Sequence, residues 1–162
     1  MATALGVPDR PRLPTDALVS PMSKRHTSVR AYGVLIDGKR IALVRSSNPK
    51  HVPPLWWLPG GGVDFGESPE MTIVREFLEE TGLRVGDPVL LNVSSDVRRR
   101  DNGDQIHSVR VTYVVQLDGE SGDLTHEVHG TTDHAAWFDL DQALSMNLAD
   151  YARIAIEAVQ AK

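Results

Sequence analysis

The sequence predicts an α+β fold in which a mixed β-sheet packs between helices. Three observations lead there. Apolar residues alternate from Val29 to Leu35, a capped amphipathic segment runs from Ser68 to Gly82, and helical spacing returns between Leu148 and Val159. Strand and helix signals are interleaved without strict alternation, as a mixed sheet requires.

Taken in order, residues 1–25 carry Pro8, Pro11, Pro14 and Pro21 with few large apolar groups. Proline lacks the donor that helices and ladders need, so this stretch reads as a flexible, proline-rich arm ahead of a domain at 26–162. An arm that crosses to a partner subunit is the alternative, and a homodimer stays open. From Thr27, Val29, Ala31, Gly33 and Leu35 alternate with Arg30, Tyr32 and Val34 as in a strand. Asp37-Gly38 is a turn pair, and Ile41 to Val44 resumes as the second strand of a hairpin. A proline-rich loop, Ser46 to Pro54, precedes Leu55, Trp56, Trp57 and Leu58, which lead into Pro59-Gly60-Gly61-Gly62. Ser68 suits a helix N-cap, Pro69 the first helical position and Gly82 the C-terminal stop. Val89 to Val93, Val109 to Leu117 and Ala135 to Phe138 read as strands, with Asn102-Gly103 at a hairpin tip. Leu148, Tyr151, Ala152, Ala155 and Val159 keep the spacing of a closing amphipathic helix.

Composition narrows the function. With 162 residues the chain fits one domain and leaves no room for an appended repair domain. The net charge of −5 offers no basic surface for duplex nucleic acid. The absence of cysteine excludes thiolate catalysis, disulfides and Cys-ligated zinc. No apolar run is long enough to span a bilayer, and the first residues lack the apolar stretch of a signal peptide, so a cytoplasmic location is expected.

On a helical wheel of about 100° per residue, Met71, Ile73, Val74, Phe77 and Leu78 fall within an arc of about 160°, the expected buried face. Glu76, Glu79 and Glu80 fall within about 100° on the opposite side. Carboxylates this close repel one another unless a base or a cation offsets them. Arg75 can pair with Glu79, four residues on, but one arginine does not neutralise three glutamates. Hard cations take oxygen ligands, so the stripe is a candidate Mg²⁺ or Mn²⁺ platform; a solvated helix face is the plain alternative.

The spacing around the stripe is more specific. Five residues separate Gly61 from Glu67, and seven more precede Arg75-Glu76; then follow Phe77, one open position, Glu79-Glu80, Thr81, Gly82 and Leu83. This resembles, position for position, the signature box of the Nudix (MutT-like) hydrolases. At residue frequencies of about 5–7% each, a chance match is on the order of one in ten million per chain. The resemblance extends over roughly Thr27 to the C-terminus. It implies a Nudix fold, an α/β/α sandwich around a mixed sheet, and a Mg²⁺- or Mn²⁺-dependent pyrophosphohydrolase. The substrate would be a small molecule, a nucleoside diphosphate linked to another moiety, with water attacking phosphorus. By the same resemblance Glu76, Glu79 and Glu80 are metal ligands with the Gly60 carbonyl beside them. Glu67 sits near the metal and Arg75 orients the glutamates. Glu79 and Glu80 are the candidate general bases, with Glu127 and Asp133 as alternatives outside the box.

Other residues are less specific. Arg45 ends the second strand, where relatives often contact phosphate or base, and Trp57 could stack on a base or fill space. Trp56 is expected to pack under the loop. Arg98, Arg99 and Arg100 fit either a phosphate contact or a solvated loop, and His126, His129 and His134 match no standard zinc spacing. A silent nucleotide-binding module usually loses box residues, whereas every box position is filled here. An isopentenyl diphosphate isomerase would need a cysteine. ADP-ribose-specific relatives often carry a proline about fifteen residues past the box, and none follows Pro88. The box reads only the diphosphate; the attached group is not encoded in it.

Overall fold

Alternation along the first strand sends successive side chains to opposite faces, and both faces are covered. In the computed structural model, which describes residues 23–120, 122–125 and 131–161, the elements run β1 (Arg25–Asp37), β2 (Arg40–Ser46), β3 (Trp56–Trp57), β4 (Gly60–Gly62), α1 (Pro69–Thr81), β5 (Val85–Arg99), β6 (Gln105–Leu117), β7 (Thr132–Asp139), α2 (Leu140–Ser145) and α3 (Asp150–Gln160). The arm predicted for residues 1–25 lies almost wholly outside the described residues. The strands order as β3-β2-β1-β6-β5, with β4 on β1 and β7 on β2. The sheet is mixed: β1 runs parallel to β6, and every other strand pairing is antiparallel.

Ala31 and Leu35 of β1 join Ala42, Ile73, Phe77 and Tyr113 under α1. Tyr32 and Val34 join Ile41, Leu43, Ala152 and Ile156 under α2 and α3. Helix on one face and helices on the other make the α/β/α sandwich that the sequence predicts. No described helix is long and apolar enough to cross a membrane.

Helix α1 has the predicted caps. Ser68 Oγ accepts from the Met71 N–H at 3.2 Å, and the Gly82 N–H donates to the Leu78 carbonyl. The Tyr113 hydroxyl donates to Glu70 Oε1 at 2.7 Å, fastening the first turn to β6. Burial first, and this bond second, push the Tyr113 hydroxyl up to about 12.

The buried face of α1 differs from the wheel. Ile73 and Phe77 are fully buried, but Met71, Val74 and Leu78 are 61%, 43% and 48% exposed. Thr72, Glu80 and Thr81 take their place, so the buried column is Ile73, Phe77 and Glu80 at i, i+4 and i+7. The reason is a polar contact that hydrophobicity does not register: α1 is turned to bring Glu80 beneath the Gly60–Gly62 strand, which supplies a backbone donor.

Two further differences concern the edges. Strands β5 and β6 run further than expected, as far as the Arg99↔Gln105 pair, and residues 100–104 form the tip that Asn102-Gly103 predicts. Alternation is weak there because β5 ends the strand order and need not bury both faces. Helix α2 was not expected from the sequence; at six residues it is too short for a clear period.

Candidate active site

The site is assembled from the middle and last turns of α1, the glycine loop and the start of β7. Gly60, Gly61 and Gly62 pair with Tyr32, Ala31 and Arg30 of β1, which holds the loop flat against the sheet. Gly60 has φ of +144°, and a Cβ there would overlap the Ala31 carbonyl oxygen, so only glycine fits. A Cβ on Gly61 would overlap the Glu76 carboxylate. The two glycines thus let the carboxylates of α1 approach the backbone.

Glu80 is 2% exposed. Its Oε2 accepts the Gly60 N–H at 2.9 Å and its Oε1 accepts the Thr132 hydroxyl at 3.3 Å. The expected exposed stripe is therefore corrected: Glu80 is buried, Glu76 is mostly covered, and Glu79 is about half exposed. The loop N–H and the Thr132 hydroxyl give the buried carboxylate partners it would otherwise lack.

Arg75 organises the remaining acids. Its Nε and Nη2 bond both oxygens of Glu67 at 3.0 Å each, and Nη1 reaches Glu76 at 2.9 Å and Glu79 at 3.1 Å. Nη2 also donates to the Gly62 carbonyl at 3.3 Å and lies 3.8 Å from Asp64. Four carboxylates therefore surround one guanidinium, and negative charge remains in excess. Their bonds raise the Arg75 pKa further above its ordinary value, Glu67 contributing most. Among the described residues no three His, Asp or Glu side chains converge into a closed cage; Arg75 stands between Glu67, Glu76 and Glu79 instead.

Glu67 also accepts the Thr72 hydroxyl at 2.7 Å. Arg75 first and Thr72 second hold its carboxyl at about 2, well below its usual 4.5. A folded pKa below the unfolded one gives stability that is present above about pH 4.5 and is lost as pH falls toward 2. Urea midpoints of the metal-free protein should therefore drop across that window, and Glu67→Gln should flatten the drop. A variant with the same pH profile as the parent would contradict this linkage. Gly61→Ala should lower the melting temperature only slightly, because the added methyl meets the end of the Glu76 side chain rather than backbone. A large drop would show that Glu76 cannot shift aside.

Outside the box the predicted residues divide. Trp57 and Arg98 line one cleft of about 590 Å³ on the α3 face of the sheet, with Arg30, Tyr32, Arg110 and Tyr151. Arg45 does not line it; its Nε bonds Asp133 at 2.8 Å and its guanidinium lies 5.9 Å from the Trp56 ring centroid. The same bond holds the Asp133 carboxyl below its usual range, which weakens it as a base. Trp56 packs edge-on against Phe138 at 4.8 Å, the structural role expected of it. His134 lies edge-on to Trp56; Glu127, His126 and His129 fall outside the described residues. The sequence reading missed Thr132, Arg30 and Arg110. No motif marks Thr132, but two arginines within apolar strands were a visible irregularity.

Comparison with known proteins bears on this arrangement. A NUDIX domain model matches residues 24–159. The chain is 34% identical over 117 residues to an ADP-ribose pyrophosphatase of Methanocaldococcus jannaschii, across 72% of this chain and 64% of that protein. It thus spans less than two thirds of that relative's own length. Its fold is similar to the crystal structure of a MutT NUDIX hydrolase from Burkholderia pseudomallei, with a TM-score of 0.66, 30% identity, and coverage of 83% of this chain and 98% of that one. It is also similar to the NUDIX domain of Shewanella oneidensis NrtR, solved in complex with ADP ribose, with a TM-score of 0.64, 25% identity, and coverage of 85% and 88%. The family model extends from the first strand through the last helix and takes in the whole glutamate site, and the chain belongs to the NUDIX family.

Proposed function

We propose that this chain is a divalent-metal-dependent pyrophosphohydrolase that cleaves a nucleoside diphosphate linked to another moiety. The observation that carries the reading is the approach of Glu76 and Glu80 to the glycine loop, with Glu79 joined to Glu76 through one arginine set among an excess of acids. The donor set fits Mg²⁺ or Mn²⁺: it is all oxygen, and it carries net negative charge. Glu76, Glu79 and Glu80 would hold the ion, with the Gly60 carbonyl beside them and Glu67 close by through Arg75. When bound, the cation offsets phosphate charge and lowers the pKa of a coordinated water.

The protein's own part is positional. Arg75 fixes the orientations of Glu67, Glu76 and Glu79 at once, so the acids need not reorganise when substrate arrives. Glu79, half exposed at the end of this network, is the better placed base; Glu80 is occupied by Gly60 and Thr132. In the reaction water oxygen bonds to one phosphorus and its proton passes to the base. The bridging P–O bond breaks, and the leaving phosphate keeps the electron pair. Trp57 and Arg98 in the cleft would contact the attached group, while Arg45, bound to Asp133, would lie outside that contact.

The test is a panel of ADP-ribose, a nucleotide sugar, a dinucleoside polyphosphate and an oxidised nucleoside triphosphate, each with Mg²⁺ or Mn²⁺. ADP-ribose belongs in it because a pyrophosphatase for that compound is among the relatives. At least one compound should yield two phosphate products, and EDTA should stop the reaction. Binding without cleavage of any of them would favour a silent nucleotide-binding module.

A further inference from the structure

The cleft on the α3 face lies on the other side of the glycine loop from α1. Arg30 pairs in register with Gly62 across β1 and β4, so the cleft adjoins the loop that the carboxylates approach. Arg30 also pairs in register with Arg110 on the parallel strand β6. Register partners on neighbouring strands point to the same face, about 5 Å apart at the backbone. Two like charges in that position repel and destabilise a sheet unless something of opposite charge joins them.

Each guanidinium is positioned by a tyrosine. Arg30 lies 5.8 Å from the Tyr32 ring centroid and its Nε donates to the Tyr32 hydroxyl at 2.8 Å. Arg110 lies 5.0 Å from the Tyr151 centroid, and the two tyrosine rings are 4.5 Å apart. Arg110 is more than nine-tenths buried, and it bonds Asp96 through Nη1 at 2.6 Å while its Nε has no acceptor. Among the described residues, Arg30 has no carboxylate partner and its terminal nitrogens make no hydrogen bond. Arg30, Arg98 and Arg110 face Asp96 and Asp150 in the lining, which leaves one cation in excess. A buried guanidinium N–H without an acceptor is costly, and a bound anion supplies one.

We propose that Arg30 and Arg110 form a seat for a second anionic group, a phosphate or carboxylate on the moiety attached to the scissile diphosphate. This rests on the reading above, in which the diphosphate lies at α1. The preferred substrate class is then a nucleoside diphosphate derivative that carries charge beyond its diphosphate.

Two ligand pairs separate the sources of charge: ADP-ribose against ADP-ribose 1″-phosphate, and UDP-glucose against UDP-glucuronate. Affinities are read by calorimetry in EDTA, so they do not depend on turnover. The charged member of at least one pair should bind at least about tenfold tighter, a steep salt dependence accompanying it. The pair that responds identifies phosphate or carboxylate. Arg30→Gln should reduce the preference to about twofold or less while leaving affinity for the neutral member nearly unchanged. Ser94→Asp, which sets a carboxylate opposite Arg110 in the β5–β6 ladder, should do the same and serves if Arg30→Gln fails to fold. Equal binding within both pairs, or a preference that survives these substitutions, would overturn the proposal. Charge preference without cleavage of any panel compound would instead fault the hydrolase reading and leave the anion seat standing.

Discussion

Replacing Glu80 with glutamine is expected to lower turnover at least about a hundredfold, equivalent to about 2.7 kcal/mol of transition-state stabilisation. The substitution removes a negative charge from the centre of the carboxylate group. It also has a folding cost that an exposed residue would not have. Glu80 accepts from both Gly60 and Thr132, and an amide presents only one acceptor oxygen with two donors beside it. The amide oxygen can keep the Gly60 N–H while the amide NH2 donates to the Thr132 hydroxyl, so the cost is that of exchanging charge-assisted bonds for neutral ones, about 1 kcal/mol. Glu79→Gln is the companion. Glu79 is 46% exposed, so its loss should depress turnover with a stability change of only about 0–1 kcal/mol. Steady-state kinetics and thermal unfolding of both variants separate the two effects. Glu80→Gln retaining most of the parent rate would remove the assignment of that residue.

Phe77→Ala is the second large effect, at about 3–5 kcal/mol of lost stability. Phe77 is fully buried in one cluster with Ile73 and the strand residues Ala31, Leu35 and Tyr113. It lies between Glu76 and Glu79 in sequence, so the apolar anchor and the carboxylates share one helical turn. A cavity beneath that turn loosens the helix that carries the site. Urea unfolding should show the destabilisation, and activity should fall at temperatures where the protein is still folded. A loss below about 1 kcal/mol would mean that α1 is held chiefly by its polar contacts.

Much of this was legible in the sequence. Ser68, Pro69 and Gly82 announced both ends of α1 because caps are local chemistry. Val29 to Leu35 announced β1 because a strand buried on two faces still shows its apolar content. The spacing from Gly61 to Leu83 pointed to the candidate site, where the loop glycines and the helix acids meet. What the sequence concealed depends on contacts made at a distance. The wheel sorted α1 by hydrophobicity alone and put Met71, Val74 and Leu78 inside. The bond from Gly60 to Glu80, which stands beside Ile73 and Phe77 on the helix, turns that edge inward and leaves those three out. Thr132 was invisible because it reaches Glu80 across 52 residues of chain. The pairing of Arg45 with Asp133 likewise joins two separate candidates into one ion pair, 88 residues apart. Arg30 and Arg110 acquire meaning only when the parallel β1–β6 register sets them side by side.

The central claim is that the carboxylates of α1, gathered against the glycine loop, hold a divalent cation. Mn²⁺ binding followed by electron paramagnetic resonance tests it without any substrate. The parent protein should bind Mn²⁺ saturably, and Glu76→Gln and Glu80→Gln should each weaken that binding at least about tenfold. Saturable binding with unchanged affinity in both variants, or no binding by the parent at millimolar Mn²⁺, would contradict it.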